Sequence, residues 1–176
     1  MNWPNRLSIL RVLMIPFIVL TLYLPGAGAA ALALFVLACV TDWLDGWMAR
    51  RYHIVTNFGK FLDPVADKLL VLSTVIALCG RGDFPAWACV IFLMRELAVD
   101  GLRLVAVEQG RVIAAGKLGK IKTTLQMLMV ISLLLAGCGL ELGVVPWVLT
   151  ALALLMTVYS GVDYFARNRA VLGGAK

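Results

Sequence analysis

Long apolar segments constrain this chain more than any other feature of its sequence. A helix needs roughly 20 apolar residues to cross a membrane, and the chain offers six candidate stretches. Hydrophobic residues make up 62% of the 176 residues and charged residues only 15%, and the mean hydropathy is +0.94. A helix in a soluble domain has to keep a polar face, which this composition does not supply. The sequence therefore predicts an all-α integral membrane protein.

Turn residues and charged residues separate the predicted helices. Residues 1–10 place Trp3 and Arg6 beside apolar residues, which predicts an interfacial segment before the first helix. We predict six transmembrane helices at about residues 11–24, 29–48, 61–80, 85–107, 121–139 and 144–165, and a basic connector over residues 109–120. Pro64 is expected in the first turn of the third helix, where proline is tolerated. No repeat or linker marks a second domain, so residues 1–176 are predicted to form a single transmembrane domain.

Lysine and arginine are distributed unevenly between the two ends of these helices. One set of ends carries most of them, whereas the other carries only Arg81. Because basic residues favour the cytoplasmic side, this pattern predicts a multi-pass protein of the cell inner membrane with both termini in the cytoplasm. The formal charge of +6 is explained by this topology and by anionic lipid or phosphate ligands, so no nucleic acid is expected as a partner.

Four aspartates lie at the predicted cytoplasmic ends of the second and third helices, in the pattern D-x2-D-G-x2-A-R-x8-G-x3-D-x3-D. On a helix, Asp42 and Asp45 share one face, and so do Asp63 and Asp67. If the basic turn between the helices folds them back on each other, both pairs point into one space at the cytoplasmic side. Four carboxylates suit Mg²⁺ or Mn²⁺, with two ions per site, better than Zn²⁺. The alternative is an ion-pair cluster at the membrane interface, but nothing structural requires four carboxylates on two facing helices.

This pattern is similar, at every fixed position, to the signature of the CDP-alcohol phosphatidyltransferases. The resemblance implies an enzyme that uses divalent metal to transfer a phosphatidyl group from CDP-diacylglycerol to an alcohol by direct displacement, with release of CMP. It also implies a homodimer among membrane lipids. The metal ligands would be Asp42, Asp45, Asp63 and Asp67. Asp67 would serve in addition as the general base that deprotonates the alcohol.

The same resemblance assigns a second group of residues to the liponucleotide. The residues implied to bind CDP-diacylglycerol are Gly46, Ala49, Arg50 and Gly59. Glycine leaves room for a ligand to approach the backbone, and a guanidinium is a good phosphate donor. For Gly46 and Ala49 the competing interpretation is ordinary small-residue packing of membrane helices. For Arg50 it is an anchor at the cytoplasmic interface.

A second charged cluster follows in the fourth helix. Arg95 lies near the middle of an apolar stretch, where an ionised side chain is a functional hypothesis by default, although Glu96 could neutralise it as a structural pair. Arg103 lies about two turns further on, nearly on the same face, whereas Asp100 adds a negative charge. We predict that this cluster binds a phosphate of the acceptor, because a neutral polyol needs less positive charge. Its predicted members are Arg95, Arg103, Lys117, Lys120 and Lys122.

Three further blocks sharpen the resemblance: residues 5–17, residues 95–103 and residues 116–123. They resemble the bacterial branch of the family that uses glycerol 3-phosphate as acceptor, the phosphatidylglycerophosphate synthases. Other acceptors remain open at this point, namely inositol phosphate, serine or phosphatidylglycerol. A divalent-cation transporter and a non-catalytic lipid-binding protein are alternatives of a different class. A transporter is disfavoured because the outer halves of the helices offer almost no polar groups.

Overall fold

The computed structural model describes residues 3–52, 57–111, 113 and 116–173. Within these ranges it does not describe the side chains of residues 3–6, 45, 49–50, 52 and 57–61. All regular structure in the described part is helical, which confirms the predicted class. The elements are α1 (Trp3–Tyr23), α2 (Gly28–Tyr52), α3 (Asn57–Gly80), α4 (Ala86–Glu108), α5 (Lys117–Gly137), α6 (Val145–Arg167) and the short α7 (Arg169–Leu172).

The six long helices pack around one large apolar core, and a smaller apolar cluster joins α4, α6 and α7. Helix α1 lies against α2 and α3, while α5 lies against α6 and α2, and α4 packs on α6. Phe35, Phe92 and Met129 are fully buried in this core. The exterior is apolar as well, since large side chains such as Met94 and Leu155 are mostly exposed. A surface of this kind fits lipid, where close packing of side chains replaces the hydrophobic effect between helices.

Three of the described helices are long and apolar enough to cross a membrane: Gly28–Met48, Lys117–Gly137 and Val145–Arg167. Leu7–Tyr23 forms a shorter apolar helix. Helices α3 and α4 have 24 and 23 residues, but both contain several charged side chains. The membrane character of the chain is therefore supported by three helices of the described part.

Three predicted boundaries differ from the structure, and each difference has a physical reason. Helix α1 begins at Trp3, so the predicted interfacial segment and the first helix are one continuous helix that contains Pro16. Helix α3 begins at Asn57, which places Pro64 inside the helix instead of in its first turn. Helix α5 begins at Lys117, so the predicted connector ends earlier. Lysine is a good helix former, and basic residues alone do not mark where a membrane helix begins.

The antiparallel arrangement sorts the ends of the helices into two groups. The turn between α1 and α2 passes through Gly26 with φ 73°, and the turn between α3 and α4 passes through Gly82 with φ 83°. Both values lie in the left-handed region that glycine adopts without strain. Residues of both turns line one pocket together with the end of α5, so these turns lie at one end of the bundle. Asp42, Asp63 and Asp67 lie at the other end, beside the start of α5 and the end of α6.

Candidate active site

Three of the four predicted aspartates line a single cavity of about 540 Å³ at this end of the bundle. Asp42 comes from α2, and Asp63 and Asp67 come from α3. The walls opposite them are formed by α4, α5 and α6. The predicted convergence of the two helix ends is therefore confirmed for these three residues, while the side chain of Asp45 lies outside the described part.

The cation between two of these carboxylates is Arg11, from α1. Its Nη1 atom lies 2.8 Å from Asp42 Oδ1 and donates a hydrogen bond of 3.0 Å to Asp67 Oδ1. The Arg11 side chain is 0% exposed, whereas those of Asp42 and Asp67 are 26% and 30% exposed. The guanidinium is thus buried beneath the carboxylates, which remain partly open to the cavity. We call this group, with Asp63, the acidic cluster.

Ser8 holds the third carboxylate of the acidic cluster. Its hydroxyl donates a hydrogen bond of 2.6 Å to Asp63 Oδ1, and Ser8 lies one turn before Arg11 on the same face of α1. Helix α1 is therefore a wall of the site. The sequence leaves the roles of Ser8 and Arg11 open, although both lie in the block of residues 5–17 that carries the resemblance to the family.

A second group of charges lies on the opposite side of the cavity, around Glu96 of α4. Arg95 Nη1 donates to both carboxylate oxygens of Glu96 at 3.3 Å. Lys122 of α5 donates to Glu96 Oε1, and Lys68 Nζ of α3 lies 4.0 Å from Glu96 Oε2. Lys68 also donates to Asp100. Three cations thus surround one carboxylate whose side chain is only 5% exposed, and we call this group the basic cluster.

Helix α6 completes the basic side of the cavity. Arg95 Nη2 donates a hydrogen bond of 3.2 Å to Ser160 Oγ, and Arg103 Nε donates one of 3.0 Å to Tyr164 Oη. A Cβ atom at Gly161 would lie 3.3 Å from Arg95 Cγ, so the glycine allows this close approach. No residue of this helix was among the predicted site residues, yet Ser160, Asp163 and Tyr164 line the cavity.

Comparisons with known proteins identify the family of this chain. A sequence profile for CDP-alcohol phosphatidyltransferase matches residues 1–159. The chain belongs to this family.

Curated members of the CDP-alcohol phosphatidyltransferase family are similar to this chain over most of its length. A CDP-diacylglycerol–glycerol-3-phosphate 3-phosphatidyltransferase of Bacillus subtilis is 42% identical over 183 aligned residues, which cover 95% of each chain. A probable phosphatidylglycerophosphate synthase of Mycobacterium tuberculosis is 42% identical and covers 99% of this chain and 85% of its own. A Rickettsia bellii protein with the same name as the Bacillus protein is 40% identical, with 93% of each chain covered.

The acidic cluster has the type of donor atom expected of the predicted divalent-metal site. Its described ligand atoms are carboxylate oxygens, the hard donors that Mg²⁺ and Mn²⁺ prefer. The position of the Arg11 guanidinium shows that the site attracts positive charge. Among the residues whose side chains are described, no three acidic, His or Cys residues form a complete metal site. The ligand set that includes Asp45 therefore stays a prediction.

The predicted CDP-diacylglycerol residues lie on the same two helix ends. Gly46 follows Asp45 on α2 and is partly buried. Ala49 and Arg50 lie one turn further along α2, and Gly59 lies in the first turn of α3. The side chains of Ala49 and Arg50 and the surroundings of Gly59 are outside the described part, so these assignments also stay predictions.

The predicted acceptor residues divide into two groups. Four of them line the same cavity as the aspartates: Arg95, Arg103, Lys120 and Lys122. Lys117, the first residue of α5, is exposed and is not part of the cavity wall in the described region. Lys68, which was not among the predicted acceptor residues, also lines the cavity. The structural pair of Arg95 with Glu96 does form, but Glu96 is shared with Lys122.

Proposed function

We propose that this chain is a CDP-diacylglycerol–glycerol-3-phosphate 3-phosphatidyltransferase. It transfers a phosphatidyl group from CDP-diacylglycerol to the primary hydroxyl of sn-glycerol 3-phosphate and releases CMP. The observation that supports this most is the single cavity that joins the acidic cluster to the basic cluster. Relatives at 42% and 40% identity that carry this enzyme name support the choice of reaction.

The basic cluster is the proposed binding site for the phosphate of the acceptor. Arg95, Lys122 and Lys68 outnumber the two carboxylates that contact them, Glu96 and Asp100. The remaining positive charge, together with Arg103 and Lys120 in the cavity wall, favours a ligand that carries its own phosphate. Guanidinium and ammonium groups form charge-assisted hydrogen bonds with phosphate oxygens, which are stronger than neutral ones.

Asp67 is the proposed general base. Its carboxylate is 30% exposed at the cavity, and Lys68, the next residue, belongs to the basic cluster. An acceptor phosphate held by that cluster therefore brings the acceptor hydroxyl towards Asp67, which removes its proton as the oxygen attacks phosphorus. We propose direct attack without a covalent enzyme intermediate.

The acidic end of the cavity is the proposed position of the diphosphate of the liponucleotide. Two divalent ions, Mg²⁺ or Mn²⁺, bound by Asp42, Asp45, Asp63 and Asp67 would neutralise the diphosphate and the leaving CMP. Gly46, Ala49, Arg50 and Gly59 are the proposed contacts for the CDP moiety. Asp42 and Asp63 are held by Arg11 and Ser8, so their carboxylates are oriented before the substrate enters.

We propose a topology of six transmembrane helices, α1 to α6, in a bacterial inner membrane, with both ends of this chain and the cavity on the cytoplasmic side. The uneven distribution of Lys and Arg supports this orientation. A cytoplasmic cavity gives the water-soluble acceptor access and lets CMP leave into the cytoplasm. A homodimer, as the family resemblance implies, would cover part of the apolar exterior.

An assay of the purified protein tests this function. The protein in detergent or nanodiscs is supplied with CDP-diacylglycerol, Mg²⁺ and one acceptor at a time, and CMP release is measured. We expect release with glycerol 3-phosphate and its loss when the metal is chelated. Release only with inositol phosphate, serine or phosphatidylglycerol would agree with the family but contradict glycerol 3-phosphate as the acceptor. Metal flux into vesicles without CMP release from any acceptor would favour the transporter.

A further inference from the structure

Arg11 occupies an unusual position for a buried arginine. Its side chain is 0% exposed, and one nitrogen, Nη1, contacts oxygens of two different carboxylates, Asp42 Oδ1 and Asp67 Oδ1. Both oxygens belong to proposed metal ligands. The guanidinium therefore competes for the electron pairs that a metal ion uses, and its positive charge lies within a few ångströms of any cation bound there.

This arrangement has two opposite effects on the acidic cluster. Several carboxylates close together repel one another, and a buried cation between them relieves that repulsion, which stabilises the folded chain. The same cation repels a divalent ion that approaches the same carboxylates. A residue that served only to shape the site would not lower its affinity for metal. It would raise that affinity, because a well-shaped site binds metal more tightly.

We propose that Arg11 is a positioning residue that acts as the resident counter-ion of the acidic cluster and lowers its affinity for divalent metal. The inference rests on the proposed metal-assisted function. It gives α1 a role in the active site. Arg11 orients Asp42 and Asp67 and balances their negative charge, and a metal ion that binds has to share their oxygens with the guanidinium. The metal is consequently held weakly enough to exchange.

The burial of Arg11 brings its charge close to any metal ion at the site. The side chain is 0% exposed and lies beneath the carboxylates, so a cation that binds to Asp42 and Asp67 meets the guanidinium on their inner side. Ser8, one turn away, fixes the same helix to Asp63 through a neutral hydrogen bond. The chain thus offers a matched comparison on one helix face, between a charged contact and an uncharged one.

The test measures Mn²⁺ binding to the full chain in nanodiscs without substrates, by calorimetry or by the electron paramagnetic resonance signal of free Mn²⁺. Thermal denaturation is followed in parallel, with chelator and with saturating Mn²⁺. The variants are Arg11→Gln, which removes the charge, Arg11→Lys, which keeps it, and Ser8→Ala as the uncharged control. Arg81→Gln controls for loss of an arginine at the other end of the bundle.

We expect Arg11→Gln to bind Mn²⁺ roughly tenfold more tightly than the wild type. Its melting temperature should fall by roughly 5 °C in chelator, and by less when Mn²⁺ is saturating. Arg11→Lys and Arg81→Gln should bind Mn²⁺ within about twofold of the wild type, and Ser8→Ala should not bind it more tightly.

Unchanged or weaker Mn²⁺ binding by Arg11→Gln would overturn the proposal and leave Arg11 a purely structural residue. If that variant does not accumulate, the double variant Arg11→Gln with Asp42→Asn, in which the lost positive charge is balanced by a lost negative charge, is compared with Asp42→Asn alone. Tighter Mn²⁺ binding by the double variant than by Asp42→Asn supports the charge effect, and equal or weaker binding contradicts it. A wild type that binds no Mn²⁺ yet releases CMP would overturn both this inference and the proposed metal site, while the transferase activity itself would stand.

Discussion

The two charged clusters on the cavity are electrostatic mirror images, and they differ in how far they are buried. The acidic cluster surrounds one cation, Arg11, whereas the basic cluster surrounds one anion, Glu96. The carboxylates of Asp42 and Asp67 are 26% and 30% exposed, whereas the centre of the basic cluster is buried, with Arg95 and Lys122 only 13% and 5% exposed. Lys68 and Asp100, at the edge of the basic cluster, are 24% and 41% exposed. The acidic side is thus open to a ligand, while the basic side depends more on its internal partner.

Because of this difference, substitutions in the two clusters should have different effects. Changes to the open carboxylates should affect chemistry first, because a ligand or water can compensate for a lost charge there. Changes to Glu96 should affect folding first, because removal of one member of a buried ion pair leaves an uncompensated charge. Variants of both clusters test this division between effects on turnover and effects on stability.

Asp67→Asn should give the largest effect, on turnover. An amide cannot accept the proton of the acceptor hydroxyl, and loss of a general base lowers rates by about 10²–10⁴-fold. CMP release measures turnover, and binding of CDP-diacylglycerol should persist. Asp83→Asn, at the other end of the bundle, serves as the control and should keep wild-type turnover. Near-normal turnover in Asp67→Asn would refute the proposed base.

Glu96→Ala should give the next largest effect, on stability. It leaves Lys122 and Arg95 buried without their shared carboxylate, a change that costs about 3–5 kcal/mol. The melting temperature in detergent should fall by roughly 6–20 °C. Arg167→Gln removes an ion pair from a side chain that is 73% exposed, and its melting temperature should stay close to that of the wild type. Equal stability of the two variants would contradict the contrast between buried and open charges.

Arg95→Ala should act on one substrate more than on the other. Loss of a charge-assisted contact with the acceptor phosphate should raise the KM for glycerol 3-phosphate by about 10-fold or more. The KM for CDP-diacylglycerol should change much less, because its diphosphate is assigned to the acidic cluster. Steady-state kinetics with each substrate varied in turn measure both constants. Equal increases in both would show that Arg95 is structural.

Lys120 and Lys117 provide the smallest and most closely matched test. Both lie in the first turn of α5, but only Lys120 lines the cavity in the described region. Lys120→Ala should raise the KM for glycerol 3-phosphate by about threefold to tenfold, and Lys117→Ala by less than about twofold. A larger effect from Lys117 would mean that the acceptor extends beyond the cavity as described.

Sequence alone predicted the parts of this molecule that depend on local spacing. The apolar stretches predicted helices, and the spacing of Asp63 and Asp67 predicted a shared face. The predicted helix boundaries were wrong where polar residues belong to a helix. The first residues of α3 and α5 were assigned to the connections between helices, because Asn57 and Lys117 are hydrophilic. Polar residues with good helix propensity extend a helix beyond its apolar stretch.

The partners of the charged residues could not be predicted, because they are distant in the sequence. Ser8 and Asp63 are separated by 55 residues, and Arg11 and Asp67 by 56. No spacing rule links such positions, so only the packing of α1 against α3 brings them together. Lys68 was overlooked for a related reason, since its role arises from contact with α4 and not from its neighbours in the chain.

The burial of Arg11 also bears on how the protein is made. Arg11 leaves the ribosome before Asp42 and Asp67 exist, and an arginine alone in hydrocarbon is expensive. In the proposed six-helix topology, the nascent α1 is therefore expected to wait at the membrane surface until α2 and α3 arrive and provide its carboxylates. Insertion of this first helix would then be a late event, governed by electrostatic pairing with later segments and not by the order of translation.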